Sequence, residues 1–381
     1  MKKLLLILTL FSQINFSLAQ NFISHTIQHD GQTRDYQIYI PNIYDGVSAV
    51  PLMFSFHGGG GTIAGNIAIN DLRPLANTEN FIAVYPQALT DPQNGDATWM
   101  HKAPTTHDDI YFISAIIDTL STQYNIDLSR VYASGYSNGG EFAYDLACRL
   151  NTEIAAIGAV ARTMYIETFN NCSPTHPTGI LSILGTSDNV SNYNGVTFGG
   201  VQYYLSAANQ HDYWATQNNC VAIPNTMLLP DLNTGDGSTV ERNTWSTSSG
   251  CPYVEELKVI GGGHDWPGSF GNMDINATQE VWSFVSKYDI NGIISCVPTN
   301  VFNENQLVNN IFKVFPNPSK DIITINANNV NSKTYKIYSI DGKVRFAGSL
   351  NSAVNQINLS TIPSGLYFIN IGEITQKLIK N

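Results

Sequence analysis

One serine is flanked by glycines in a pattern that suits nucleophilic catalysis. Ser137 is the centre of residues 135–139, Gly-Tyr-Ser-Asn-Gly, the only G-x-S-x-G sequence in the chain. The apolar run Val131–Ser134 before it predicts a strand, and Glu141–Leu150 after it predicts a helix. A serine on so sharp a strand-to-helix turn is exposed, and glycines remove side chains that would clash there. The context predicts a nucleophile, although a glycine-flanked serine alone is more often only a turn.

A glycine run supplies a second part of such a site. Residues 57–61 read His-Gly-Gly-Gly-Gly and directly follow Val50–Phe56, an apolar run that predicts a strand. Glycine backbone can approach a tetrahedral intermediate closely and donate its N–H groups to the oxyanion. We therefore expect the N–H groups of Gly59 and Asn138 to form an oxyanion hole.

The general base should be a histidine that follows the serine. Sites built on a G-x-S-x-G turn between a strand and a helix have their residues in the order serine, acid, histidine. Three histidines qualify: His176, His211 and His264. His264 is favoured, since it lies in the glycine-rich residues 261–268 after the predicted strand Leu257–Ile260. His176 precedes a predicted strand rather than following one, and His211 is interpreted as a surface residue in a polar stretch.

The acid should follow a strand between the serine and the base. Asp188 follows the predicted strand Ile180–Leu184 and fits this requirement, with Asp212 and Asp265 as alternatives. Asp265 is adjacent to His264, and neighbouring loop residues seldom turn both side chains to one point. In the predicted mechanism the serine attacks the acyl carbon, the histidine takes and returns the proton, and Asp188 holds the imidazole tautomer.

These residues require a scaffold of alternating strands and helices. From about residue 21 to residue 290, short apolar runs such as Phe81–Tyr85 alternate with helical stripes, one of them beginning at Asp108 and Asp109. This alternation predicts an α/β domain with a largely parallel sheet over residues 20–290. Residues 291–310 are polar and predict a linker, and residues 311–381 show only short β-rich runs and turns, which predicts a small all-β domain.

The N-terminus and the composition restrict the class of protein. Lys2 and Lys3, the apolar run Leu4–Phe11 and the small residues around Ala19 predict a secretory signal peptide over residues 1–19. Charged residues make up 13% and the formal net charge is −11, which excludes a basic nucleic-acid binder. No later stretch is apolar for long enough to predict a membrane span.

The five cysteines form no C-x-x-C pair, which excludes a zinc ribbon, and no metal site is expected. In an exported protein an odd number suggests two disulfides and one free thiol. We expect the pairs Cys148–Cys172 and Cys220–Cys251, with Cys296 left free.

These motifs together resemble the secreted polyhydroxybutyrate depolymerase-like esterases, including the feruloyl and acetylxylan esterases of carbohydrate esterase family 1. The matching segments are residues 57–60, 108–109, 124–132, 135–140, 185–188 and 261–268. The resemblance implies an α/β-hydrolase fold and carboxylic-ester hydrolysis without a cofactor. Two departures, Leu184 where the family usually has His and Asn189 where it often has Pro, put the substrate rather than the reaction in question.

The tail resembles the type A C-terminal sorting domain of the type IX secretion system. The matching segments are residues 314–318, 335–342 and 359–367. This resemblance implies the type IX secretion machinery as a partner and a secreted or cell-surface location. The alternative is a small carbohydrate-binding or adhesive β-sandwich.

The substrate expected from the resemblance and the local chemistry is a feruloyl or acetyl ester of plant cell-wall polysaccharide. Trp266, two residues after His264, and Trp99 are candidates to pack against a sugar ring or a phenolic acyl group, with ordinary packing in the core as the alternative for each. Polyhydroxybutyrate or another polyester is the alternative substrate, and amide cleavage by the same triad remains open. A catalytically inactive hydrolase-fold binding protein is the alternative of another class.

Overall fold

The protein consists of two compact units, residues 1–299 and residues 300–381. The computed structural model describes residues 21–92, 95–99, 108–294, 296, 312–327, 334–339, 343–372 and 374–381. The predicted signal peptide lies outside the described residues, and so does most of the predicted linker. Among the described residues, no helix is long and apolar enough to cross a membrane.

The first unit contains fourteen strands and seven helices within its described residues. The strands are β1 Phe22–His29, β2 Gln32–Tyr39, β3 Val50–Phe56, β4 Ile82–Pro86, β5 Ile126–Tyr136, β6 Ala156–Val160, β7 Gly179–Gly185, β8 Val196–Phe198, β9 Val201–Tyr204, β10 Asn225–Leu228, β11 Thr239–Ser246, β12 Pro252–Ile260, β13 Tyr288–Asp289 and β14 Gly292–Ile293. The helices are α1 Ile63–Ile69, α2 Arg73–Glu79, α3 Asp109–Gln123, α4 Asn138–Arg149, α5 Ile166–Asn171, α6 Ala207–Gln217 and α7 Ala277–Val285.

Ten of these strands form one sheet in the order β1-β2-β4-β3-β5-β6-β7-β12-β11-β10. The six central strands, from β4 to β12 in this order, are parallel. The outer strands pair antiparallel at both edges. Because parallel strands end at the same edge of a sheet, the loops after β3, β5, β7 and β12 lie at one edge. These loops carry the residues singled out from the sequence.

Burial on both faces of the sheet explains the continuous apolar runs. Every residue of β3, β4, β6 and β7 is buried, as expected for parallel strands covered by helices on both sides. Leu52 and Phe54 belong to one apolar cluster, whereas Met53, between them, belongs to another. The first cluster includes α3 and α4, and the second includes α7, so the sheet lies between the two helix layers.

The predicted central elements are present, although β5 and β12 each begin five residues before the predicted start, and the predicted α/β class is confirmed. The strand Val50–Phe56 is observed with the predicted bounds, and Asp108 caps α3 by accepting a hydrogen bond from the Ile110 N–H. The prediction that His211 is a surface residue is wrong, because it lies in α6 with 1% of its surface exposed.

The second unit is all-β, as predicted. Its strands are β15 Lys313–Phe315, β16 Ile322–Asn326, β17 Thr334–Ser339, β18 Val344–Ser349, β19 Val354–Asn358, β20 Gly365–Ile371 and β21 Ile374–Lys380. They form a three-stranded sheet, β15-β16-β19, and a four-stranded sheet, β18-β17-β20-β21. Ile323 from the first sheet and Ile337 and Ile369 from the second belong to one buried apolar cluster, so the two sheets form a sandwich. The predicted turn at residues 341–342 lies outside the described residues.

The cysteine pairing was predicted only in part. The predicted Cys148–Cys172 disulfide is present, whereas Cys251 is bonded to Cys296 and not to Cys220. Cys220 is the free thiol, and burial raises its pKa to about 11. The Cys220–Cys251 prediction is wrong because Cys296 follows the β13–β14 hairpin, which is hydrogen-bonded to Pro252 and Tyr253 at the start of β12, directly after Cys251. Sequence distance alone did not reveal this contact.

Candidate active site

The serine turn is strained and depends on glycine at two positions. Ser137 lies between β5 and α4 with φ 53° and ψ −120°, a left-handed conformation that side-chain-bearing residues rarely adopt. A Cβ on Gly135 would lie 2.1 Å from the Gly139 carbonyl oxygen. A Cβ on Gly139 would lie 2.5 Å from the carbonyl oxygen of Phe56. The two glycines therefore let the turn pack directly on the neighbouring strand and helix backbone.

Three side chains from three different loops form a hydrogen-bonded chain at this turn. His264 Nε2 lies 2.9 Å from Ser137 Oγ, and His264 Nδ1 lies 2.7 Å from Asp188 Oδ2. Because a carboxylate can only accept, this arrangement puts the ring proton on Nδ1 and leaves Nε2 to accept from the serine. Such a chain can activate a hydroxyl for attack on an acyl carbon.

Backbone groups of its own loop bind the carboxylate of Asp188. Its Oδ1 accepts hydrogen bonds of 2.7 Å from the backbone N–H groups of Val190 and Ser191. Asp188 is 4% exposed, whereas the His264 side chain is 17% exposed and reaches the surface of the site. The site therefore has a fixed, buried acid and an accessible imidazole.

The alternative acids and bases are engaged elsewhere. Asp265 accepts a hydrogen bond from the Gly263 N–H, and Asp212 is exposed on α6. The Nε2 of His211 lies 2.6 Å from Ser182 Oγ. The ring of His176 contacts the carbonyl oxygens of Asn151 and Pro177. None of these four side chains is hydrogen-bonded to Ser137 or His264 among the described contacts.

The residues that carry the expected oxyanion donors lie close together. A Cβ built on Gly59 would lie 3.9 Å from the Asn138 Cβ, and one built on Gly58 would lie 3.4 Å from the Ser137 Cβ. Within the described part of the chain, the N–H groups of Gly59 and Asn138 have no hydrogen-bond acceptor. Two adjacent unpaired N–H groups beside a serine hydroxyl are suited to bind a negatively charged oxygen.

The buried side chain of His57 contacts the backbone of the glycine loop. It is 2% exposed, and its Nδ1 lies 2.7 Å from the Gly58 carbonyl oxygen. Its Nε2 accepts from the Ala88 N–H and lies 3.0 Å from Gln87 Nε2. Burial lowers the pKa of His57 and so favours the neutral ring that this pattern of one donor and one acceptor needs. His57 is therefore part of the support of the loop.

Gln87 was missed from the sequence, although it fixes both ends of the same loop. Its Nε2 donates to the Gly61 carbonyl oxygen, and its Oε1 accepts from the Ile63 N–H at the start of α1. No motif surrounds it. The sequence signal that could have identified it is its position just after the predicted strand Phe81–Tyr85.

The prediction that Trp99 and Trp266 contact the substrate is wrong. Both are 1% exposed. Trp266 belongs to the apolar cluster beneath its loop and donates its ring N–H to Thr278 Oγ1, 3.2 Å away. Trp99 stacks on Phe142 with 4.9 Å between ring centroids. Large aromatic side chains near a site are often part of its packed support.

Among the described residues, Tyr136 and Phe270 are aromatic side chains near the site that are not fully buried. The Tyr136 ring lies 5.1 Å from the His264 ring and 6.0 Å from the Phe270 ring, which is 37% exposed. Burial, with the carboxylates of Asp188 and Asp265 nearby, raises the pKa of Tyr136 to about 12. Its hydroxyl therefore stays protonated and donates to the His264 carbonyl oxygen. Tyr136 could have been found in the sequence from its place in the serine motif.

No cluster of three or more His, Cys, Asp or Glu side chains in the described ranges could hold a metal ion. The chemistry suggested by the geometry uses the side chains and backbone groups described above.

The fold and the tail each have known counterparts. The acetyl xylan esterase from Aspergillus awamori has a similar structure, with a TM-score of 0.50 at 14% identity, covering 69% of this chain and 99% of that chain. At this identity the likeness concerns the fold, which is the α/β-hydrolase fold. Residues 313–381 match the family model described as secretion system C-terminal sorting domain. The molecule thus has a domain with the α/β-hydrolase fold, followed by a segment that matches the sorting-domain model.

Similar sequences are named as esterases. The bifunctional acetylxylan esterase/xylanase XynS20E of Neocallimastix patriciarum is 29% identical over 268 residues, which are 70% of this chain and 35% of that protein. Feruloyl esterase B of Piromyces equi is 26% identical over 260 residues, 66% of this chain and 45% of that protein. The resemblance stated from the motifs is confirmed. The chain spans less than half the length of these two relatives.

Proposed function

We propose that the first unit is a secreted carboxylic-ester hydrolase that acts through an acyl-enzyme. The observation that carries the proposal is the hydrogen-bonded chain from Asp188 through His264 to Ser137. Ser137 attacks the ester carbonyl while His264 takes its proton, and His264 then protonates the leaving alcohol. Water repeats the sequence on the acyl-enzyme and releases the acid. The N–H groups of Gly59 and Asn138 bind the oxyanion in both halves of the reaction.

The proposed substrate is a feruloyl or acetyl ester of plant cell-wall polysaccharide. The names of the relatives support it, since they are acetylxylan and feruloyl esterases. The exposed Phe270 ring, which neighbours Tyr136, offers the aromatic surface that the sequence analysis sought in Trp99 and Trp266. Export through the predicted signal peptide and the sorting domain would bring the enzyme to such a polymer outside the cell.

A polyester substrate such as polyhydroxybutyrate is the second candidate. The segment after Asp188, including the β8–β9 hairpin, exposes several apolar side chains: Val190 at 62%, Phe198 at 77%, Val201 at 58% and Tyr203 at 39%. Such a patch could contact an apolar polymer surface. Values of kcat/KM on methyl ferulate and acetylated xylo-oligosaccharides, compared with a hydroxybutyrate trimer, decide between the two. A clear preference for the trimer would reverse their order.

Hydrolysis of p-nitrophenyl acetate by the purified protein tests the activity itself. We expect hydrolysis by the wild type, and loss of kcat on the order of 10⁴–10⁶ in both Ser137→Ala and His264→Ala, because triad members act as a unit. Asp212→Asn is the control, and it should keep the wild-type activity because Asp212 is exposed on α6. An inactive wild type would favour the binding-protein alternative. A His264→Ala enzyme that kept a tenth of the activity would refute the assignment of the base.

A further inference from the structure

Trp99 connects the two segments that supply the oxyanion donors. Its ring N–H donates to the His57 carbonyl oxygen at 2.9 Å, and its backbone N–H donates to Asn138 Oδ1, also at 2.9 Å. His57 precedes the glycine loop, and Asn138 is the first residue of α4. One residue therefore holds both segments through two separate hydrogen bonds.

Packing keeps this residue in one orientation. The Trp99 ring is parallel to the Phe142 ring of α4, with an interplanar angle of 6°. It meets the Phe56 ring at the end of β3 edge-on, 5.1 Å between centroids. All three side chains are at most 1% exposed. A displacement of the indole would therefore move the glycine loop, α4, or both.

We propose that Trp99 is a positioning residue that fixes the separation of the Gly59 and Asn138 N–H groups. This inference rests on the proposed ester hydrolysis and assigns to Trp99 a role that involves no contact with the substrate. Oxyanion donors act on the charge that develops in the transition state, and their effect depends on sub-ångström placement. If the distance between the two N–H groups is no longer fixed, kcat should therefore fall while KM stays nearly unchanged.

The experiment compares Trp99→Phe with Trp214→Phe on p-nitrophenyl acetate. Phenylalanine retains an aromatic ring against Phe142 and Phe56 but has no ring N–H. Trp214 is a matched control, because it is fully buried and its ring nitrogen has no hydrogen-bond partner among the described residues. We expect kcat to fall about tenfold or more in Trp99→Phe, with KM within about twofold. Trp214→Phe should stay within about twofold of wild type in both constants.

A second readout depends on the oxyanion hole but requires no turnover. Phenylboronic acid forms a bond from boron to the serine oxygen and so gives a tetrahedral, negatively charged adduct that resembles the intermediate. Its inhibition constant should rise in Trp99→Phe by about the same factor by which kcat falls. Thermal unfolding of each variant verifies that the compared proteins are folded.

Asn138→Ala provides an independent route if Trp99→Phe does not fold. It removes the side-chain acceptor of the Trp99 backbone N–H and keeps the Asn138 backbone N–H, so kcat should again fall with KM nearly constant. An unchanged kcat in a folded variant, an equal loss in Trp214→Phe, or a rise of KM alone would each overturn the positioning role. A wild type without hydrolysis would instead overturn the proposed function.

Discussion

At the scale of single residues, the serine turn shows how little freedom the nucleophile position has. Ser137 occupies a left-handed conformation, and the backbones of β3 and α4 approach it so closely that only glycine fits beside it. The strain is maintained by packing around the turn, including the hydrogen bond from the Ser137 N–H to the Val160 carbonyl oxygen. The exposed hydroxyl is a consequence of that packing.

A single methyl group at Gly139 should therefore disrupt the Ser137 turn and abolish ester hydrolysis. In Gly139→Ala the new Cβ would lie 2.5 Å from the Phe56 carbonyl oxygen and 2.7 Å from that of His57, which forces the helix away from the strand. We expect at least a 100-fold loss of kcat/KM, or failure to fold, measured by ester hydrolysis and circular dichroism. Gly65→Ala, in the exposed part of α1, is the control and should keep full activity. Normal activity in Gly139→Ala would contradict this account of the turn.

At the scale of elements, the disulfide between Cys251 and Cys296 ties the segment after β14 to the start of β12. It closes a loop of 45 residues that includes His264. The β13–β14 hairpin before Cys296 is also hydrogen-bonded to the sheet, through Tyr288 to Tyr132 and Pro252. His264, the proposed base, therefore lies within a cross-linked segment.

Cys296→Ser should destabilise the first unit without changing its chemistry. The loop-entropy relation gives roughly 4 kcal/mol for a loop of this length. We expect the free energy of unfolding to fall by up to about that amount in urea titrations, with kcat/KM at 25 °C unchanged. Cys220→Ser replaces the free thiol and should cost much less. Non-reducing peptide mapping that linked Cys251 to Cys220 would contradict the pairing.

At the scale of the whole molecule, buried neutral histidines make stability depend on pH. Burial lowers the pKa of His211 and of His57 below the ordinary value of 6.5, so the unfolded chain binds protons more readily than the folded one. Their contribution to stability is present above pH 6.5 and is lost as the pH falls toward the folded pKa values. The melting temperature should therefore drop between pH 7.5 and pH 5.5.

His211→Gln isolates one of these two groups. The variant lacks the titrating ring, so its melting temperature should fall less than that of the wild type over the same interval. His176→Gln is the control, because His176 is only partly buried. An identical drop in wild type and His211→Gln would show that His211 does not contribute.

The division into two units predicts which part of the chain the activity needs. Every residue of the proposed site precedes residue 299, where the first unit ends. A chain shortened to residues 1–299 should retain the kcat/KM of the full chain, although it lacks the segment that matches the sorting-domain model. A chain ending at Ile294 lacks Cys296 and should be less stable by the amount expected for Cys296→Ser. Loss of activity in a folded 1–299 chain would place part of the substrate site in the second unit.

Local pattern was sufficient to predict much of this molecule. The strand Val50–Phe56 could be recognised because a strand buried on both faces is continuously apolar, and the glycines after it mark a close approach of backbone. The same reasoning selected Ser137, Asp188 and His264, since each follows such a strand in a parallel sheet. These inferences depend only on residues close together in the chain.

Tertiary structure alone decided the features that depend on distant segments. Cys251 pairs with Cys296 because the β13–β14 hairpin returns the chain to the start of β12. The spacing of the cysteines in the sequence does not predict that return. Trp99 is buried against Phe142 of α4 and Phe56 of β3, and His211 is buried against Ser182 of β7 and Trp245 of β11. Their neighbours in the sequence are largely polar. Burial and pairing are properties of packed surfaces, so they emerge only when the elements have been brought together.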